Sequence, residues 1–185
     1  MHSFRVIRRV LVAAAIVLGA ATTAAAQDQP RADIAVSYSF LNDSDLDETF
    51  KWGWVGAATV HATDWLALVG EVGGNYRTLE AFDIEIDLSV HSFLGGARFG
   101  APLGKVTPFG QILLGQARAS VSASALDESE SVSGFAFQPG GGVDIALGRR
   151  TALRVQGDYR AISDDGDTSS EFRFAVGVAF GFGSR

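Results

Sequence analysis

One short stretch of the sequence contains the residue types of a nucleophilic catalyst. Ser89, His91 and Ser92 lie close together, and Asp87 precedes them. A serine hydrolase needs a histidine within hydrogen-bond distance of the serine and an acid that orients the histidine. Residues two apart share one face of an extended chain, so Asp87 and His91 would lie on the same side of a strand. A histidine in this setting is far more often hydrogen-bonded to a neighbour than catalytic, and we predict no catalytic residue.

Two acidic segments have the composition of calcium-binding loops. They are Asp43-x-Asp45-x-Asp47-Glu48 and Asp164-Asp165-Gly166-Asp167. A calcium loop of the EF-hand type combines spaced acids with a central glycine and a terminal glutamate, and neither segment completes that pattern. The sequence also lacks a glycine-rich phosphate-binding motif. We therefore predict no metal site and no cofactor, and only weak binding of divalent cations by acidic loops.

A third set of polar residues alternates with apolar side chains along predicted strands. Its opposite charges nearly balance, as a buried network requires, because an unpaired buried charge is costly. The same alternation places His91 on the inner face. We predict that one structural network fills the interior of a barrel, formed by Glu71, Arg77, Asp87, Arg118, Asp144, Arg154, Asp158, Arg160 and Arg173.

The elements that must position these residues are strands. Residues 172–182 alternate most clearly, with phenylalanine or valine at every second position and small or charged residues between them. Period two predicts a strand with one bulky apolar face. The same pattern predicts eight strands, at residues 34–40, 53–63, 65–77, 84–99, 107–123, 135–147, 151–162 and 172–182. An apparent change of phase at Gly95-Gly96 and the imino acid Pro139 each predict a bulge.

The connections between these strands alternate in length. Residues 63–64, 101–106 and 148–150 are short, whereas residues 41–52, 78–83, 124–131 and 163–170 are mostly longer and polar. In an up-and-down barrel, alternate connections lie at the same end. Outer-membrane barrels have short turns at the periplasmic end and longer loops at the extracellular end. The predicted fold is therefore all-β: an eight-stranded antiparallel up-and-down transmembrane β-barrel.

Alternation alone also fits a soluble, periplasmic, lipocalin-like barrel, in which the bulky apolar face lines the interior. Two further features of the sequence favour a membrane barrel, whose bulky apolar face lies on the outside and contacts lipid. The less bulky face is rich in Gly, Ala and Ser, which suits a narrow interior. Aromatic residues concentrate near strand ends, as in the girdles at both membrane interfaces. The girdle is predicted to include Phe40, Trp54, Trp65, Tyr76, Phe99, Phe109, Phe172 and Phe182.

The N-terminus has the pattern of an export signal. Arg5, Arg8 and Arg9 precede an apolar run that ends in small residues, which predicts a cleaved signal peptide at residues 1–26 and a barrel domain at residues 27–185. The leader takes three of the 15 basic residues and none of the 21 acidic ones, so the mature chain has a net charge of −9. This charge argues against nucleic-acid binding. Cysteine is absent, so disulfides do not stabilise the fold.

Several strand segments rich in glycine and aromatic residues carry a family resemblance. They are Ser92-Phe93-Leu94-Gly95-Gly96-Ala97-Arg98-Phe99, Thr107-Pro108-Phe109-Gly110, Gly140-Gly141-Gly142-Val143-Asp144 and Leu153-Arg154-Val155-Gln156-Gly157-Asp158-Tyr159-Arg160. These segments resemble the outer-membrane β-barrel superfamily, the small OmpA/OmpX-like proteins of the porin family. The resemblance implies an outer-membrane location, contact with lipid and a monomeric state. Gly177-x-x-Phe180-x-Phe182 is similar to the C-terminal signal of such barrels, which implies the barrel-assembly machinery as a partner during biogenesis.

These observations predict a structural, adhesive or envelope-interaction barrel rather than an enzyme or a diffusive pore, because eight strands leave an interior that side chains fill. One alternative is a lipid-modifying enzyme similar to lipid A deacylases. Those enzymes carry a lipid-facing histidine before the serine, whereas here Ser89 precedes His91.

The predicted loop end is strongly acidic. It contains one base, Lys51, and 14 of the 21 acids, and this charge would attract basic partners over long range. The acids are Asp43, Asp45, Asp47, Glu48, Glu80, Asp83, Glu85, Asp127, Glu128, Glu130, Asp164, Asp165, Asp167 and Glu171.

Overall fold

The computed structural model describes residues 30–43, 48–50, 52–81, 84–123, 128–164 and 167–183, together with the side chains that lie away from these gaps. The predicted leader lies outside the described residues. Nine strands are present in this part of the chain: β1 (Ala32–Asp43), β2 (Glu48–Phe50), β3 (Trp52–His61), β4 (Leu66–Ala81), β5 (Ile84–Gly100), β6 (Val106–Ala123), β7 (Glu128–Ala146), β8 (Thr151–Asp164) and β9 (Asp167–Phe182). Among the described residues, no helix is long and apolar enough to cross a membrane.

The strands form one closed antiparallel sheet. Strands β2 and β3 pair with successive parts of β1 and count as one interrupted strand of the barrel. The barrel therefore has eight strands around its wall. Each later strand pairs with the next, and β9 pairs back with β1 from Ala32↔Phe182 to Asp43↔Glu171. Because β9 closes onto β1, the wall from β3 to β9 has no free edge, and its backbone groups pair with one another. The predicted eight-stranded up-and-down barrel is confirmed.

Side chains alternate between the two faces of this wall as the sequence predicted for the final strand. On β9, Phe172, Phe174 and Phe180 are exposed on the outside, whereas Ala175 and Ala179 are buried inside. Small inward residues let the long polar chains of neighbouring strands fill a narrow interior. The bulky apolar face therefore covers the outside of the barrel.

Neither predicted bulge exists. The registers of β5 with β4 and with β6 run without interruption past Gly95 and Gly96. At Pro139 the ladder to β8 passes from Phe137↔Ala161 to Gly140↔Asp158 in the same register, without an inserted residue. Because proline lacks an N–H group, the ladder between β7 and β8 is interrupted at Pro139, but no residue is inserted and no bulge forms.

The apparent change of phase on β5 has a different cause. Leu88 and Val90 point inward near the loop end, where Val90 packs with Leu41 of β1 in a small apolar cluster. His91 of the same strand points outward, where it meets the outward-facing Tyr76. On this stretch of β5 the apolar side chains therefore lie inside and His91 lies outside, and the prediction that His91 points inward is wrong.

The predicted long connections are largely strand. Strands β4 to β9 run on into residues 78–83, 124–131 and 163–170, leaving only residues 82–83, 124–127 and 165–166 between strands. In these segments polar residues lie on both faces of the strand and give no period-two signal. The alternation of apolar and polar residues therefore predicted strands that are shorter than those in the structure. One girdle assignment is also wrong, because Phe109 is buried inside the barrel, while Trp65 and Phe99 stack on the outside with ring centroids 6.2 Å apart.

Candidate functional site: the charged interior

The centre of the barrel is an ion-pair cluster around Arg173. This residue of β9 has no exposed surface, and its Nη2 donates to Glu71 Oε1 and to Asp158 Oδ2, each at 2.7 Å. Glu71 comes from β4 and Asp158 from β8, so the cluster joins strands on different sides of the interior. Two carboxylates around one guanidinium compensate its buried charge.

Amide side chains connect this cluster to its surroundings. Gln138 donates to Glu71 Oε1 at 3.0 Å, and Gln156 donates to Asp158 Oδ2 at 2.8 Å. Arg160 in turn donates from Nε to Gln138 Oε1 at 2.8 Å. Each amide offers both a donor and an acceptor, so it can link a carboxylate to a guanidinium.

Arg160 forms a second charged contact nearer the loop end. Its Nη1 lies 3.3 Å from Glu171 Oε2, and its Nη2 donates to Ser92 Oγ at 3.3 Å. Glu171 is therefore a buried interior residue rather than part of the acidic loop end to which the sequence assigned it.

A third charged group lies towards the turn end. Arg154 of β8 donates to both carboxylate oxygens of Asp144, at 2.7 and 2.8 Å, and to Asp33 at 3.2 Å. The guanidinium of Arg98 lies 4.2 Å from the centre of the Phe109 ring, and that of Arg154 lies 5.5 Å from it. The inward ring therefore forms cation–π contacts in the interior.

The glycines of β7 make room for this packing. A Cβ atom at Gly140 would overlap the carboxylate of Asp158 and come within 2.9 Å of the Gly157 carbonyl. Gly140 thus permits Asp158 to reach Arg173, and the glycine-rich segment of β7 has a packing role at this level of the barrel.

Six of the nine predicted network residues lie in the interior, but in two groups: Glu71, Asp158, Arg160 and Arg173 at the centre, and Asp144 with Arg154 towards the turn end. Arg77 lies half-buried in the inward phase of β4, and the side chain of Asp87 lies outside the described part of the chain. Arg118 was assigned wrongly. It is exposed on the outer wall and donates to Ser131 Oγ at 2.8 Å, because Gln111 and Leu113 set the inward phase of β6.

The sequence reasoning missed several interior residues. Gln138 and Gln156 stood on the polar side of the alternation but carried no charge, and only charges were assigned to the network. Arg98 of β5 is also buried inside, and it was left out of the predicted network although it is charged. Asp33 and Gln111 are further buried interior residues: Asp33 lies just before the first predicted strand, and Gln111 lies in the predicted strand with the least regular alternation.

The candidate catalytic cluster is divided by the barrel wall. Ser92 is buried inside and bonded to Arg160, whereas His91 lies outside with its Nε2 atom 3.1 Å from Tyr76 Oη. His91 is therefore accessible from lipid, contrary to expectation, but its resolved partner is a phenol rather than a serine. Among the described residues, no group of three or more histidine, aspartate or glutamate side chains could hold a metal ion.

The fold matches known membrane barrels. A sequence model of the outer membrane protein β-barrel domain matches residues 11–180. Among solved structures, the attachment invasion locus protein Ail of Yersinia pestis, in complex with the heparin analogue sucrose octasulfate, is 18% identical with a TM-score of 0.59, and the match covers 85% of this chain and 100% of Ail.

Two further structures have the same fold. Neisserial surface protein A is 15% identical with a TM-score of 0.62, and the match covers 82% of this chain and 96% of that protein. The N-terminal barrel domain of Pseudomonas aeruginosa OprF is 14% identical with a TM-score of 0.52, over 84% of this chain and 100% of that domain. A search of curated protein sequences found no match.

Proposed function

Because this chain belongs to the outer membrane protein β-barrel domain family, we propose that it is a non-conducting barrel that anchors an acidic end at the cell surface for adhesive or envelope interactions. It is an outer-membrane protein, and its apolar outer wall meets lipid. We also propose that it acts as a monomer and that the barrel-assembly machinery inserts it.

The observation that carries this proposal is the filled interior. Arg173 is fully buried between Glu71 and Asp158, and Arg160 and Gln138 continue the network towards the loop end. A diffusive channel needs a wider barrel with an open lumen. The interior therefore supports a structural role for the wall and leaves the interaction role to the ends of the barrel.

The charges at the two ends support the choice of partner. At the loop end, the 13 acids other than the buried Glu171 are accompanied by a single base, Lys51. The turn end instead carries the bases Lys105, Arg149 and Arg150. Most of these loop-end side chains lie outside the described residues, so their role is argued from the sequence. An anionic surface favours basic partners and weak divalent-cation binding, both sensitive to salt.

The test is a neutralised loop end. Replacing the acids of residues 43–48 and 164–167 by their amides should abolish salt-sensitive adhesion of the refolded protein to a polylysine-coated surface and remove weak Ca²⁺ binding. Asp64→Asn, which removes an exposed acid at the turn end, is the matched control and should change neither. Equal adhesion by the neutralised protein at every salt and calcium concentration would show that the acidic end has no binding role.

A further inference from the structure

Among the charged strand residues whose side chains the structure describes, the barrel wall separates inward from outward positions with one exception. Asp33, Glu71, Arg77, Arg98, Asp144, Arg154, Asp158, Arg160, Asp164, Glu171 and Arg173 all occupy inward positions of the alternation. Arg118 alone among them faces outward. A charge on the lipid side costs about 2–4 kcal/mol at mid-membrane and about 0–1 kcal/mol near the interface. The depth of Arg118 therefore decides whether its charge is tolerated and what it can contact.

The depth of Arg118 is fixed by its neighbours. One step along the outer face of β6 lies Gln116, which pairs with Phe93 on one side and with Phe135 on the other. Both rings are largely exposed, at 63% and 58%, and Leu114 continues the apolar surface below them. Arg118 thus lies directly above the apolar belt, at the level of lipid headgroups on the loop side.

The surroundings of Arg118 supply hydrogen-bond donors but no described carboxylate. It pairs across the sheet with His91 of β5 and with Ser133 of β7, and its Nη2 donates to Ser131 Oγ at 2.8 Å. Among the described side chains, none of the ion pairs includes Arg118. A cation, an imidazole and two hydroxyls therefore lie on three adjacent strands of the outer wall.

The imidazole of His91 is held in place by two aromatic residues. Trp54 Nε1 donates to Tyr76 Oη at 3.4 Å, and Tyr76 Oη lies 3.1 Å from His91 Nε2. An indole N–H can only donate, so the phenol accepts from Trp54 and its own hydrogen can bond to His91 Nε2. With Tyr76 donating to Nε2, a neutral imidazole carries its proton on Nδ1.

This bridge depends on Gly74. Tyr76 reaches across Gly74 to Trp54, and a Cβ atom at Gly74 would lie 2.8 Å from Tyr76 Oη and 2.9 Å from Trp54 Nε1. Any larger residue would push the two rings apart. The outer face of β3, β4 and β5 thus fixes the imidazole of His91, which is the cross-strand neighbour of Arg118.

We propose that Arg118 and His91 bind the phosphate of a phosphorylated glycolipid of the outer leaflet. A guanidinium donates to two phosphate oxygens at once, and the imidazole Nδ1–H and the hydroxyl of Ser133 can donate to the others. The acyl chains of the same lipid would run down the apolar surface of Phe93 and Leu114, which favours a lipid over a free phosphate ion. This inference depends on the membrane placement but not on the adhesive role of the loops.

The test is a lipid titration of the intact protein refolded in detergent. The probe is bis-phosphorylated lipid A, and bound lipid is counted by native mass spectrometry. We expect one saturable site, and we expect Arg118→Gln to weaken it by about tenfold to a hundredfold, the loss expected for a charged hydrogen bond. Arg118→Lys should retain part of the affinity, and His91→Gln should weaken it several-fold.

The matched control is Lys105→Gln, which removes an exposed cation at the opposite end and should leave the affinity unchanged. A heat-dependent mobility shift on SDS gels verifies that every variant is folded. Equal binding of lipid A from which both phosphates have been removed would overturn the proposal, as would full affinity in Arg118→Gln. Competition by millimolar inorganic phosphate would assign the site to a free anion instead. The adhesion assay with polylysine should not respond to Arg118→Gln, so the two proposals can fail separately.

Discussion

Replacement of Arg173 by methionine tests the charged interior most sharply. The change removes a guanidinium without exposed surface and leaves Glu71 and Asp158 without the donor that each contacts at 2.7 Å. Breaking a buried ion pair by removing one partner costs about 3–5 kcal/mol. At about 1.4 kcal/mol per factor of ten, the unfolding equilibrium constant should rise by about two to four orders of magnitude.

The assay is equilibrium urea unfolding in detergent micelles. Tryptophan fluorescence is a suitable signal, because Trp52, Trp54 and Trp65 lie exposed on the outer wall and leave the apolar phase on unfolding. Adding Glu71→Gln to Arg173→Met removes one of the stranded charges, so the double variant should lose less than the sum of the single variants by about 1–3 kcal/mol.

The exposed turn residue Lys105 provides the control, since Lys105→Met should change stability by no more than about 0.5 kcal/mol. A loss below about 1 kcal/mol for Arg173→Met, typical of exposed ion pairs, would refute the buried network. Strict additivity of the two interior changes would refute it as well.

Three further outcomes are expected. Gly177→Ala should destabilise the barrel in the urea assay, because the added Cβ would overlap the Val36 carbonyl oxygen. Gly70→Ala has open space around the added Cβ and should be neutral, so equal effects of the two variants would contradict the packing described. His91→Ala should leave the acyl chains of lipid A unchanged by mass spectrometry, and an acyl-chain difference would establish an enzymatic role. In planar bilayers the refolded protein should give no stepwise conductance, and regular open-channel steps would contradict a filled interior.

The alternation of apolar residues was enough to predict the barrel. Strand β9 reads as a strand because Phe172, Val176 and Phe180 all meet lipid, and lipid imposes one polarity along the full height of the wall. The family model and the closed sheet confirm the fold class and the outer-membrane placement.

The errors arise where the surroundings of the wall change. On β5, Leu88 and Val90 lie inside near the loop end, where Val90 packs against Leu41, and His91 lies outside without any change of register. An alternation pattern assigns faces only when the solvent on each side is known. Arg118 was assigned to the interior because a charged residue was expected to lie on the inner face.

Contacts across the interior could not be predicted from the sequence. Arg173 and Glu71 are separated by 102 positions, and they meet because the strand registers and the tilt of the wall bring β4 and β9 to the same level. Gln138 joined the network through its hydrogen bonds to Glu71 and Arg160, which no local pattern encodes.

The most direct test of the account is the lipid exposure of successive residues on β9. The chain has no cysteine, so single cysteines at Ala175, Val176, Val178 and Ala179 can each carry a spin label in refolded vesicles. Labels at Val176 and Val178 should collide readily with oxygen, which dissolves in lipid, whereas labels at Ala175 and Ala179 should be shielded from oxygen and from a polar nickel reagent. High oxygen collision at the two alanine positions and shielding at the two valine positions would invert the wall and contradict a barrel with lipid outside and charge within.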